Sequence, residues 1–203
     1  FQSVSSAVLP PLVRSMRSRF PDLEIRGSES PDDRELDRLL AAGEVDVSFM
    51  GGTVAPEFEF RHLLDDPFVL VAPPGRFPAG PVSVADLVGE PMIGQQRLHS
   101  CQLLNEAGLR AAGCDPEYVF RSEDNGTVAA MVRSGMGVAV LPFLCLEVED
   151  PRLSFHRLDP VLPAREITLA WRSGRTLSPA AEEFIELATV VCDELTSKLA
   201  AFT

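Results

Sequence analysis

Twice in this 203-residue chain a run with helical spacing ends at a glycine and is followed at once by an almost unbroken apolar segment. Leu36, Leu39 and Leu40 lead through Gly43 to residues 45–50, and Val128, Met131 and Val132 lead through Gly135 to residues 138–141. Glycine accepts the left-handed backbone that closes a helix, and an apolar run without alternation fits a strand covered on both faces, as in a parallel sheet. A chain that repeats helix, glycine and buried strand is expected to fold as α/β layers with crossover connections.

The rest of the chain reads in the same way. Leu9, Leu12, Val13, Met16 and Phe20 share one helical face, with Ser5 and Ser6 placed to cap a first helix beginning near Ser6. Leu23 and Ile25 alternate as a short strand, and Ser30-Pro31-Asp32-Asp33 supplies a cap, a first-position proline and an acid for the second helix. Residues 58–64 and 68–72 read as strands separated by Asp65-Asp66-Pro67. Residues 73–81 are the densest Pro and Gly segment, where a domain boundary is expected. Ser83 to Asp86 has capping-box spacing, residues 92–94 form a strand, and Ser100 can cap a helix through Leu103, Leu104, Ala107 and Leu109. Further strands are expected at residues 119–121, 153–158 and 167–171. Helices are expected over residues 127–133 and from Ser178-Pro179 to Leu195.

Charge narrows the function. The chain has 18 Lys and Arg against 30 Asp and Glu, a formal net charge of −12, and Lys198 is its lone lysine. Neutralising DNA phosphates needs a clustered basic footprint, so these residues alone are not expected to bind DNA. No apolar stretch is long enough to span a bilayer. The cysteines at 101, 114, 145 and 192 include no CxxC pair, and reduced thiols in the cytoplasm are the expected state. His62, His99 and His156 lack HxxxH or HExxH spacing, and no GxSxG elbow or phosphate-binding loop occurs. No enzyme activity, cofactor or metal is therefore expected.

The segments Leu9-Pro10-Pro11-Leu12, Phe20-Pro21-Asp22, Leu36 to Leu40 followed by Gly43-Glu44-Val45-Asp46, Phe68-Val69-Leu70-Val71-Ala72-Pro73, and the run from Val132 through Gly135-Met136-Gly137 to Pro142 occur in one order along the whole chain. Each is common alone; together they resemble the effector-binding domain of LysR-type transcriptional regulators. The resemblance implies two Rossmann-like α/β subdomains joined by two crossover strands, like type 2 periplasmic binding proteins: residues 1–72 with 169–203, and residues 73–168. It also implies a cleft between them for a small-molecule effector, a homodimer or tetramer, and DNA contact only through an N-terminal winged helix-turn-helix that this chain lacks. No membrane association is expected.

Ligands of open α/β sheets sit beyond the carboxyl ends of strands, where helix N-termini offer free amides. Four joints meet that description. The first offers Ser3 and Ser5 to a carboxylate, with plain capping as the alternative and Ser6 a weaker candidate. Ser30 belongs to the second, where capping is the stronger reading and Asp33 would oppose an anion; an effector there would carry a hydroxyl or amine. At the third, Gln95, Gln96, Arg97 and Ser100 combine amides, a hydroxyl and a guanidinium suited to a carboxylate, and Arg97 is equally readable as a surface arginine. Asn125 and Thr127 open the fourth, again with capping as the competing role. Gly51, Gly52 and Thr53 either let backbone approach a ligand or form an ordinary turn. A small organic acid or similar metabolite is the expected effector.

Two rival functions stay open. Cys101, near a helix start with Arg97 and His99 close in sequence, could serve with Cys114 as a thiol redox sensor of the same family. Alternatively, the same lobed fold serves extracytoplasmic solute-binding proteins, against which the lack of a signal peptide weighs.

Overall fold

The computed structural model describes residues 2–30, 32–97 and 99–202, with side chains described as far as Ala200. Pro31, expected at the first position of the second helix, and Leu98, inside the third candidate loop, lie outside the described residues. The chain forms two compact units, Phe1–Asp65 with Glu166–Thr203, and Asp66–Arg165. The division falls before the Pro and Gly segment at residues 73–81. The reason is that the strand over Phe68–Ala72 hydrogen-bonds only to strands of the second unit, so the chain has already crossed when it begins.

In the first unit, α1 (Gln2–Ala7) and α2 (Leu9–Arg19) are followed by α3 (Asp33–Ala42), β1 (Ser48–Gly51) and β2 (Phe58–Asp66). The unit is completed by β10 (Arg165–Arg172) and α6 (Pro179–Phe202). Its sheet has the order β1-β10-β2. The first helix starts before Ser6, and Ser5 and Ser6 lie inside α1 instead of capping it. The break falls at Val8, directly before Pro10 and Pro11, which occupy the first turn of α2 where no amide is needed. Asp32, not Ser30, caps α3 by accepting from the Arg34 N–H at 3.0 Å.

Gly43 ends α3 with φ 70°, its N–H and that of Glu44 reaching back to Leu40 and Leu39 carbonyls. Residues 23–30 are irregular, so the strand expected at Leu23 and Ile25 does not form. Alternation over two residues makes a strand only beside a partner, and none pairs here. The expected strand over 45–50 is shorter, beginning at Ser48, and pairs antiparallel with β10 (Phe49 opposite Leu169) instead of in a parallel ladder. Its residues are alternately buried and half-buried, as a strand covered on one face should be.

The second unit holds β3 (Phe68–Ala72), β4 (Val82–Ser83), β5 (Pro91–Gly94), α4 (Ser100–Ala111) and β6 (Glu117–Arg121), followed by α5 (Asn125–Arg133), β7 (Val138–Pro142), β8 (Ser154–His156) and β9 (Leu158–Asp159). Its five-stranded sheet has the order β6-β5-β7-β3-β8 and is mixed: β5 runs parallel to β6 and β7, and β3 antiparallel to β7 and β8. The central strands are buried except at Pro91, which opens β5 half-buried, and their residues sort by parity. Leu70, Ala72, Met92, Val138 and Val140 join one cluster with Cys101 and Leu109 of α4. Val71, Ile93, Ala139 and Leu141 join another with Val128 and Val132 of α5. A period of two in the strands thus feeds two layers of helix-facing core. The strand expected over 153–158 is broken at Arg157, whose carbonyl accepts the Val82 N–H beside the small β4–β9 pair.

One ion pair lies where the chain enters and leaves this unit. Asp66 is fully buried and Arg165 is 7% exposed. The guanidinium of Arg165 donates to Asp66 Oδ2 at 2.5 Å, and the Leu144 N–H donates to Oδ1 at 3.0 Å.

Candidate functional site

The candidate residues of the first unit separate. Ser5, half-buried on α1, lines a cavity of about 750 Å³ with Leu9, Val13 and Met16 of α2, residues 23–28 and 44–49, and Phe184 of α6. The cavity lining mixes those apolar side chains with the charged Arg17, Glu24, Arg26, Glu44 and Asp46. Ser3 is buried within α1, and its carbonyl accepts from the Ser6 hydroxyl at 3.1 Å. The Ser30 hydroxyl is engaged locally, donating to Glu35 at 2.6 Å and accepting the Asp32 N–H at 3.0 Å. Gly51 ends β1 opposite Ile167. Of these four, Ser5 alone reaches the cavity.

In the second unit the structure brings the third and fourth joints together. Gln95, directly after β5, is buried, and its side-chain amide donates to Asn125 Oδ1 at 2.8 Å. Asn125 opens α5, whose cap is Asp124: its carboxylate accepts the Thr127 N–H at 2.6 Å and the Thr127 hydroxyl at 2.8 Å. Thr127 is therefore engaged in capping. Gln96 and Arg97 are exposed, and Arg97 forms no ion pair with a described residue. Ser100 is the first residue of α4, not its cap; that position belongs to His99, which makes no side-chain cap bond. Among the described residues no group of His, Cys, Asp and Glu could hold a metal ion, and no helix is long and apolar enough to cross a membrane.

Beneath Gln95 lies a polar network that the sequence reading did not single out. Gln102 Oε1 accepts the Gln95 N–H at 2.8 Å, while Gln102 Nε2 donates to the Tyr118 hydroxyl at 2.7 Å and to Glu106 at 3.0 Å. Arg121 donates to the Gln95 carbonyl at 2.8 Å and to Glu106 at 2.9 Å, with its guanidinium carbon 3.9 Å from the Tyr118 ring centroid. Arg110 donates to the other oxygen of Glu106 at 2.9 Å.

Burial pushes the Glu106 carboxyl up, but the bonds from Arg121, Gln102 and Arg110 outweigh it and hold the group below its ordinary range. Its charge therefore persists through neutral and mildly acid pH; the stabilisation it gives is present above the ordinary carboxyl range and is lost only as pH falls through the depressed value. Burial drives the Tyr118 phenol up to about 12. One sequence signal did exist: Gln102 and Glu106 are one helical turn apart on the same α4 face as Leu109, so polar groups sit where a core face demands partners.

The thiols do not match a redox centre. Cys101 and Cys114 are both buried in the α4-side core. Burial pushes the Cys101 thiol up to about 12 and raises Cys114 as well. A sensor needs an accessible, low-pKa thiolate, so the structure contradicts the Cys101 and Cys114 reading. Cys192 is likewise buried and raised to about 12, whereas Cys145 is half-buried. A thiol reagent at pH 8 is expected to modify Cys145 in the native protein and the other three only on unfolding. Prompt native-state labelling of Cys101, located by mass spectrometry, would reopen the redox reading.

Comparisons with known proteins place this geometry. Residues 1–192 match the family model of the LysR substrate binding domain. An uncharacterised HTH-type transcriptional regulator of Bacillus subtilis, YcgK, is 24% identical over 201 residues, covering 89% of this chain and 61% of the relative. Among solved structures, HinK, a LysR family transcriptional regulator from Pseudomonas aeruginosa, superposes with a TM-score of 0.84 at 23% identity over 96% of this chain and 69% of that one. The regulatory domain of Synechocystis PCC6803 CcmR in complex with 2-PG gives 0.81 at 17% identity over 94% of this chain and 93% of that one. The chain spans about three fifths of the length of the curated relatives it matches, 61% to 63% for the first three.

Proposed function

Because the chain belongs to the LysR substrate-binding domain family, we propose that it is the sensing part of a cytoplasmic transcriptional regulator, binding a small organic acid. DNA contact would be made by a winged helix-turn-helix elsewhere in the regulator, and the net charge of −12 supports keeping that task away from these residues. The names of the relatives favour this over nutrient capture, since they are transcriptional regulators.

One observation carries the reading. In α3 and α5 a cap side chain accepts one first-turn amide, Asp32 that of Arg34 and Asp124 that of Thr127. By contrast, the N-cap residue of α4 makes no side-chain cap bond, and the exposed guanidinium of Arg97 stands three residues before that helix. Free amides at a helix start and an arginine without an ion pair suit a carboxylate. Gln95, Gln96, Ser100, Asn125 and Thr127 are the further candidates of this unit, and Ser5 is the leading candidate of the other. Ser3, Ser30 and Gly51 are weaker, since their groups are already engaged or away from the cavity.

The ligand acts by differential binding: it must favour one arrangement of a homodimer or tetramer over another, because equal affinity for both shifts nothing. A thermal-shift panel of benzoate, glutamate and gluconate is the test. A true effector at a hundredfold excess over its Kd should stabilise by about 2.7 kcal/mol, and Arg97→Ala should remove most of that. Equal stabilisation of wild type and Arg97→Ala would withdraw the assignment of Arg97.

A further inference from the structure

We propose that Glu106 and Arg121 are positioning residues that hold Gln95 with its side-chain oxygen presented to a hydroxyl or amine of the effector, so that the preferred ligand is a hydroxy or amino acid and not a plain carboxylate. The inference rests on the effector-binding reading above and assigns a chemical class within it.

The geometry supports it atom by atom. Gln95 has four hydrogen-bonding atoms, and three are taken. Its N–H donates to Gln102, its carbonyl accepts from Arg121, and its side-chain NH₂ donates to Asn125. The side-chain oxygen alone has no partner among the described residues. An acceptor held so firmly in a buried residue discriminates by what meets it: a ligand N–H or O–H satisfies it, and a C–H leaves it unpaired.

Both backbone contacts trace back to Glu106. Its Oε1 anchors Gln102 Nε2, which turns Gln102 Oε1 towards the Gln95 N–H, and it also anchors the Arg121 guanidinium whose other nitrogen holds the Gln95 carbonyl. Gly94 makes room for the arrangement, since a Cβ there would lie 2.5 Å from the Tyr118 ring and 2.9 Å from Gln102 Oε1. Arg110 donates to the other carboxylate oxygen from an exposed position and hydrogen-bonds to Glu106 and Asp115 but to neither Gln95 nor Gln102, so it serves as a control for loss of charge at Glu106.

The test uses matched pairs, salicylate against benzoate, lactate against propionate, and glutamate against glutarate, with affinities measured on wild type, Glu106→Gln, Arg121→Gln, Arg121→Lys and Arg110→Gln. Backbone exchange at Gln95 is followed in parallel, relative to Met92 in the preceding strand β5. The hydroxy or amino member of at least one pair is expected to bind wild type roughly tenfold or more tighter. Glu106→Gln and Arg121→Gln should erase that preference and speed Gln95 exchange roughly tenfold with Met92 unchanged. Arg121→Lys, which keeps the charge but loses the forked reach, should fall between, and Arg110→Gln should behave as wild type.

Ligands that bind without any preference for the donor-bearing member overturn the class assignment. Unchanged Gln95 exchange in both Glu106→Gln and Arg121→Gln overturns the positioning role. If no acid binds wild type while Gln95 exchange accelerates in the variants, the effector reading fails and the positioning role stands.

Discussion

Asp66→Ala is expected to lower the unfolding free energy by about 3–5 kcal/mol, the cost of leaving a buried guanidinium without its counter-ion. Asp66 has no exposed surface, and it holds Arg165 at 2.5 Å together with the Leu144 N–H. Removing the carboxylate strands two donors at once, where water does not reach them. The pair need not be stabilising for this loss to be large, since desolvating both charges already costs several kcal/mol. Asp66→Leu combined with Arg165→Met is therefore expected to recover most of the loss, because apolar groups of similar volume need no partners. Urea unfolding followed by circular dichroism measures both, with the slope checked for change because two units can unfold separately. A loss below about 1 kcal/mol in Asp66→Ala would mean that the site hydrates freely and the pair is a surface-like contact.

Gly137→Ala should cost about 3 kcal/mol, the upper end of the range for overpacking. Gly137 precedes β7 beside the first residue of β5, and a Cβ there would stand 2.2 Å from the Pro91 carbonyl oxygen and 3.0 Å from its carbon. Those are backbone atoms of a strand paired through Met92 to Val138, so neither side can swing away as a flexible side chain would. The strands must part, and the core on both faces of the sheet is disturbed. Gly135→Ala is the internal comparison: its φ is 80° and nothing lies near its Cβ position, so only backbone strain of about 1–2 kcal/mol is expected. Thermal melts of the two variants should rank Gly137→Ala as the more damaging, and the reverse order would show that the β5–β7 contact relaxes easily.

The second unit was the more legible in sequence. Residues 68–72 and 138–141 are apolar without alternation, and that composition suits a strand with core on both sides, whatever the direction of its neighbours. In the first unit the same reasoning misjudged residues 45–50, because Val45 packs against the α3 residues Leu36 and Leu40 and, with Val47, lines the cavity beside α2, without either belonging to a strand. Leu23 and Ile25 failed for the complementary reason: they line that cavity without a strand partner.

Cap identities were ambiguous for a local reason. Ser30 and Asp32, and Asp124, Asn125 and Thr127, place several competent acceptors within one turn, and only the backbone angle selects among them. The network under Gln95 could not be read from spacing, since Gln102 and Glu106 meet Tyr118 and Arg121 only when α4 is laid against β6. What the sequence offered was two polar residues on a helix face otherwise committed to the core.

The Asp66 and Arg165 contact has a mechanical consequence. These are the first and last residues of the second unit; they end β2 and begin β10, which are hydrogen-bonded neighbours in the first unit's sheet, so the ion pair extends with side chains a pairing that the backbones already make. A load on one passage therefore reaches the other through that backbone ladder and, at its end, through one carboxylate and one guanidinium, without travelling through the residues that lie between them in the sequence.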